Sequence, residues 1–400
     1  MATRLIKRWR RLISPDRVAL TGSIIGLSSL LLGWLTIKPN RLAAGAALSL
    51  WKSFDAAGAA AIAGLWLLCL TLSLVKLRRW RGVGLGVSAD AILALTFVLV
   101  GLASSHLLEG EPPAARVSPG AGFWVTIAGA YAVIFAARRQ LDDQRTWQNL
   151  VSWSGLAFLV FLLSIGWMNN ISVMEELSGY QQRFIQELLQ HIRLFAISVT
   201  AAAAIGIPLG IWATRNKHAE RPVFFTTNIM QTIPSLALFG LLIAPLSALS
   251  FAFPVLRDIG IRGVGVAPAI IALTIYSLLP VVRNTYVGIR QVDPAAIDAG
   301  RGMGMTRWQV FRRVEVPLAA PLVLEGVRTA SIQAVGLTTV AAIIGAGGLG
   351  WFVFRGIGQA APDLIILGAI PVIILALLVD AVMRTVVRLG TPKGLGVESR

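Results

Sequence analysis

The sequence predicts an all-α polytopic membrane protein with about ten transmembrane helices. Three observations lead there. Hydrophobic residues make up 56% of the 400, and charged residues only 14%, about half the usual share in a globular chain. The mean hydropathy is +0.73, more apolar surface than a water-soluble fold of this length can hide. Apolar runs near the roughly 20 residues that cross hydrocarbon recur along the whole chain.

In order, the runs place spans at 18–37, 56–75, 84–104, 121–137, 149–168, 194–214, 223–247, 266–287, 322–348 and 364–386. The basic stretch from Arg4 to Arg17 leads into a full-length span without a convincing cleavage site, so the first span reads as a retained helix and not a signal peptide. A single cysteine, Cys69, excludes an internal disulfide framework and a Cys-based zinc site.

The net charge of +17 would suggest nucleic acid in a soluble protein. Its distribution argues otherwise. Lys and Arg alternate between loops: 26 lie in 1–17, 76–81, 138–145, 215–221, 283–313 and 384–400, against 9 in the loops between them. Translocating these residues is unfavourable, so the richer side is expected to face the cytoplasm. An even number of spans then leaves both termini inside. The expected location is the inner (plasma) membrane.

Composition shifts near residue 170. Residues 1–168 form an N-terminal five-span extension. Residues 169–193 are too polar to span, and Phe184, Leu188, Leu189 and Ile192 fall at helical spacing. They read as an amphipathic helix on the outer face, with a plain linker as the alternative. Residues 194–386 hold the last five spans, and 387–400 form a cytoplasmic tail.

One loop, 290–321, is long and carries its own helix signals. Asp293 is a good N-cap, followed by Pro294 at the first helical position. Gly302 and Gly304 are expected to break that helix. Thr306 starts a second helix, with Gln309 completing a capping box; it is expected to run through Arg313 and end before Pro317. The loop displays Ile297, Met303, Met305, Trp308 and Phe311 beside several arginines. Apolar residues ringed by Arg suit a docking surface; the alternative is a loop folded back on its own bundle.

This stretch resembles the EAA loop of ABC importer permeases: Glu-Ala-Ala, three residues, Gly, nine residues, Ile, one residue, Leu-Pro. The counterparts are Asp298, Ala299, Gly300, then Gly304, then Val314, then Val316 and Pro317. Asp replaces the Glu, Gly the last Ala, and Val both Ile and Leu. The resemblance implies a permease core of five helices, here with five extra N-terminal spans. It also implies that Asp298, Ala299, Gly300, Gly304, Met305, Trp308, Val314 and Pro317 couple the chain to separate ATPase subunits. ATP and Mg would be held by those subunits, since this chain has no Gly-x4-Gly-Lys-Ser/Thr phosphate loop. An external substrate-binding protein and a second permease, identical or sister, complete the implied assembly. DPAAIDAGRGMGMTRWQVFRRVEVP, NIMQTIPSLALFGLL and AAIIGAGGLG look closest to the branch importing glycine betaine, choline and related osmoprotectants. Another small solute such as an amino acid is the alternative cargo. An ion-coupled secondary transporter is the rival machine, and it predicts uptake without any ATPase.

Pro234 lies inside the span at 223–247 and should bend it. Gln231, Thr232 and Ser235 offer polar groups there. The break lines a translocation pathway or is satisfied internally. GAGGLG at 345–350 follows no strand, which excludes a dinucleotide fingerprint, and suits a tight exit turn. Gly206 and Gly210 suit close helix packing. Glu325, Arg328, Asp380 and Asp90 read as end-placed charges that snorkel or pair, with a gating role as the alternative. The histidines His106, His191 and His218 are dispersed, and no catalytic or metal constellation is legible.

Overall fold

A computed structural model describes residues 14–41, 43–75, 80–141 and 144–392. Residues 1–13, most of the loop at 76–81, and 393–400 of the expected tail lie outside the described residues. The chain divides into two compact units, Met1–Gly179 and Tyr180–Arg400. Among the described residues, nine helices are long and apolar enough to cross a membrane.

The first unit contains α1 (Arg17–Ser29), β1 (Gly33–Lys38), β2 (Ala46–Ser49), α2 (Leu50–Ser53), α3 (Ala56–Leu74), α4 (Arg81–Leu108), β3 (Arg116–Pro119), α5 (Ala121–Gln140), α6 (Arg145–Ser164) and α7 (Ser172–Gly179). The strands form one antiparallel sheet in the order β2-β1-β3.

The span expected at 18–37 is corrected here. Its helix stops at Ser29, and residues 33–38 are β1. A helix of 13 residues is roughly 20 Å long, short of a bilayer. The segment nonetheless runs the length of α5. Gln140, at the end of α5, donates to Asp16 Oδ2 at 2.8 Å. Ser29 and Thr126 hydroxyls meet at 2.6 Å near its start. Small residues let the two helices touch: a Cβ on Gly129 would lie 2.9 Å from the Gly22 carbonyl oxygen. The helix is cut short because Trp34 turns back, its indole N–H donating to the Ser29 carbonyl at 2.9 Å. The core of this unit centres on Trp34, Trp66, Leu85 and Ile92, all fully buried.

The second unit contains α8 (Gln181–Arg215), α9 (Lys217–Thr232), α10 (Ser235–Ala252), α11 (Pro254–Asp258), α12 (Val266–Arg290), α13 (Pro294–Gly302), α14 (Arg307–Val310), α15 (Val316–Ala341), α16 (Gly350–Gly358) and α17 (Pro362–Gly390). Central α12 packs against α8 and α15, and α15 packs against α17. The residues expected as one outer-face helix, 169–193, are divided. Residues 172–179 form α7, while 181–193 begin the 35-residue α8 and run on without a break into the expected span. The span expected at 223–247 is two helices, α9 and α10.

Packing explains Gly206 and Gly210. A Cβ on Gly206 would lie 3.0 Å from Val281, and one on Gly210 2.7 Å from Thr285; these glycines set the approach of α8 to α12. The charges of α15 and α17 pair. Arg328 reaches Asp380 at 2.6 Å and Glu325 at 2.7 Å, and Arg384 reaches Asp380 at 2.8 Å.

The glycine run 345–348 is a turn in which Gly345, Gly347 and Gly348 have φ of 77°, 78° and 91°, values that favour glycine. The first turns of α8 hold it. Glu187 accepts from the Gly348 N–H at 2.6 Å, and Gln190 donates to the Ala346 carbonyl at 3.0 Å. His191 Nδ1 accepts from the Leu349 N–H at 3.2 Å while Nε2 donates to the Val335 carbonyl at 3.0 Å.

Candidate functional site

The loop between α12 and α15 is built from its caps inward. Asp293 caps α13, its carboxylate accepting from the Ala295 N–H at 2.8 Å, with Pro294 at the first position. The helix ends in a Schellman turn. Gly304 has φ +81°, its N–H donates to the Arg301 carbonyl at 2.9 Å, and the Met305 N–H donates to the Gly300 carbonyl at 3.1 Å. This gives the Gly300-x3-Gly304 spacing a physical meaning: the first residue accepts the long closing bond, and the second supplies the left-handed residue. Met305 then folds back over Gly300. A Cβ on Gly300 would lie 3.5 Å from Met305, Val310 and Val314 alike.

Thr306 and Gln309 form the expected capping box. The Gln309 side chain accepts from the Thr306 N–H at 2.8 Å, and the Thr306 hydroxyl accepts from the Gln309 N–H at 3.3 Å. The helix does not end before Pro317, as expected, but passes through a π-helical turn, Phe311–Glu315, straight into α15. Proline at this point removes one i to i−4 bond, and the wider turn carries the chain past it. The site residues sort by face. Gly300 is buried and Met305, Val314 and Pro317 are half-buried, forming the inside of the loop. Asp298, Ala299 and Trp308 face out with Met303; Met303 is 71% and Trp308 65% exposed. Arg301, Arg307, Arg312 and Arg313 surround them, all exposed. Asp298 pairs with Arg301 at 3.3 Å.

The loop is anchored at one buried charge. Glu315, in the π turn, pairs with Arg215, the last residue of α8. The Arg215 guanidinium also lies 5.5 Å from the Phe311 ring centre, and Phe311 stacks on Trp308 at 5.5 Å. Sequence reasoning missed this pair, because 100 residues separate its members.

The second cluster sits at the α9–α10 break. Ile233 and Pro234 separate the helices. The Tyr276 hydroxyl of α12 donates to the Ile233 carbonyl, and Gln231 donates to the Tyr276 carbonyl at 2.7 Å. The two bonds are reciprocal and tie the break to α12. Thr232 donates to its own helix, at the Ile229 carbonyl, 2.7 Å away. Thr232 and Pro234 are exposed and Ser235 is half-buried. Gln231 thus serves the break itself, and the exposed edge is left to Thr232, Pro234 and Ser235. Tyr276 was not legible as a partner from the sequence.

A membrane bundle that carries an anchored, arginine-ringed loop fits a class: the membrane-spanning component of a transporter. Residues 206–389 match the family described as binding-protein-dependent transport system inner membrane component, and residues 16–174 match the N-terminal domain of the ABC transporter permease YehY. The osmoprotectant import permease protein OsmW of Salmonella typhimurium is 40% identical over 228 residues, which is 57% of this chain and 100% of that protein. The glycine betaine/carnitine/choline transport system permease protein OpuCB of Bacillus subtilis is 42% identical over 206 residues, 52% of this chain and 88% of that protein. A solved structure of the inward-facing MetNI methionine ABC transporter is 23% identical with a TM-score of 0.45, covering 52% of this chain and 96% of that one. The chain belongs to the family of binding-protein-dependent transport system inner membrane components. It is a multi-pass inner-membrane transport subunit.

Proposed function

We propose that this chain is the permease of an ATP-driven importer of quaternary-ammonium osmoprotectants such as glycine betaine or choline. The observation that carries the cargo is the 40% identity over the full length of OsmW, an osmoprotectant import permease by name. The cargo enters from an external substrate-binding protein and crosses between two permease copies, identical or sister. This chain performs no covalent chemistry. ATP and Mg bind to separate ATPase subunits on the cytoplasmic side.

The geometry of the loop supports the coupling role. Met303 and Trp308 offer apolar area inside a ring of arginines, and the capping box and Schellman turn hold both short helices rigid. A push on Trp308 passes through Phe311 to Arg215 and so to α8, while the continuous π turn passes it to α15. Closure of the ATPase pair would thereby tilt α8 and α15 together, a rigid-body change between two states. Among the predicted pathway residues, Thr232, Pro234 and Ser235 line the translocation pathway in this reading, and Gln231 ties the break to α12.

The test is uptake of radiolabelled glycine betaine and choline into proteoliposomes holding the permease, its ATPase and its binding protein. ATP-dependent accumulation of either supports the reading. Accumulation without ATPase, or of an amino acid only, overturns it.

A further inference from the structure

Within the first unit, α4 and α6 line a cavity of about 430 Å³ that is open on one side, a size that suits a small organic ligand. Its walls are apolar save for Asp90 and Ser154. Asp90 lies nine residues past Arg81 and Ser154 nine past Arg145, so both sit roughly 13 Å along their helices. The Ser154 hydroxyl donates to Asp90 Oδ2 at 2.7 Å. The other carboxylate oxygen, Oδ1, is buried and has no hydrogen-bond partner among the described residues. A carboxylate at this depth normally pairs with a cation or marks a site. The sequence suggested a snorkelling or paired acid; among the described residues Asp90 is hydrogen-bonded by the Ser154 hydroxyl and not by a cation.

We propose that this cavity binds a small organic cation, an alkylammonium whose charge rests on Asp90 and whose apolar body lies between α4 and α6. Three features select that chemistry. An acid that meets no countercharge among the described residues favours a monocation. One carboxylate and one hydroxyl are too few oxygens for a hard metal ion, which takes six or more. The aromatic rings of Trp147 and Phe158 line the same space and attract alkylammonium groups through their faces. Ala91 and Ala94 leave the volume open on the α4 side. The site belongs to the first unit and does not depend on what the second unit carries.

The experiment is equilibrium binding of radiolabelled tetraethylammonium to the purified full-length chain in lipid nanodiscs. Asp90→Asn keeps the Ser154 bond, since serine can donate to the amide oxygen, but removes the charge. Ala94→Phe fills the cavity and leaves the acid. The expected result is saturable binding by the unaltered chain, weakened roughly tenfold or more by either substitution. No saturable binding to the unaltered chain overturns the proposal. So does binding by either variant as tight as that of the unaltered chain, which would place the cation elsewhere.

Discussion

Glu315 is buried in a π-helical turn, and its carboxylate is bonded by Arg215, which closes α8. The pair joins the loop that follows α12 to a helix 100 positions earlier. Half of the Arg215 side chain remains exposed, so solvent screens the attraction. A hydrogen bond between charged groups is still worth about 1.5–3 kcal/mol, and removing Arg215 leaves Glu315 buried without its cation. Arg215→Met should therefore lower thermal stability in detergent and reduce coupled uptake. Glu315→Gln, which can still accept from Arg215, should do so less. Equal losses from both would mean that the charge, not the bond, sets the anchor.

Gly300 and Gly304 should respond in opposite ways. Gly304 has open space around it but a positive φ, so Gly304→Ala should cost about 1–2 kcal/mol through backbone strain alone. Gly300 is helical, and a Cβ there meets its neighbours at 3.5 Å, ordinary contact. Gly300→Ala should be neutral or stabilising by up to about 1 kcal/mol. Thermal denaturation of the two variants side by side checks the contrast. Gly304→Trp should insert normally but lose ATPase docking, because a large side chain would project from the turn.

Tyr276 and Thr232 separate the two roles at the α9–α10 break. Tyr276→Phe leaves the Ile233 carbonyl without its donor and should cost about 1–3 kcal/mol of stability. Thr232→Val removes only a bond within one helix turn, so stability should hold while the KM for transported substrate shifts. A Thr232→Val protein with unaltered KM would remove Thr232 from the pathway.

The approach of α8 to α12 should tolerate little at Gly210. A Cβ there would lie 2.8 Å from the Val282 carbonyl oxygen, and backbone cannot swing away. Gly210→Ala should destabilise by about 1–3 kcal/mol. Gly206→Ala should cost less, since it meets side-chain carbons at 3.0 Å and beyond. Melting temperatures in detergent compare them.

Most of the spans, the Asp293 and Thr306 caps and the Gly304 turn were legible because each depends on residues within a few positions. Hydropathy, capping and positive φ are local properties. The failures share a different cause. Nothing local says that Trp34 turns back on Ser29 and stops α1, or that β1 pairs with a strand 80 residues on. Pro317 reads as a helix stop, and the π turn that bypasses it holds Glu315 against Arg215, a partner 100 positions away. Nothing near Tyr276 in the sequence marks it as a partner until the break between α9 and α10 sets the Ile233 carbonyl beside it. Residues 181–193 looked like a surface helix because their polar side chains, Glu187, Gln190 and His191, were not yet matched to the backbone of the glycine turn.

The central claim is that Met303 and Trp308 meet a separate ATPase inside the cell. Its most direct test is site-directed cross-linking of Met303→Cys, in a Cys69→Ala background, to that subunit in inverted membrane vesicles. The account predicts a cross-link whose yield changes when ATP is added, and labelling of position 303 by an impermeant maleimide from the cytoplasmic side alone. Labelling from the outside, or full substrate uptake with no ATPase present, would contradict it.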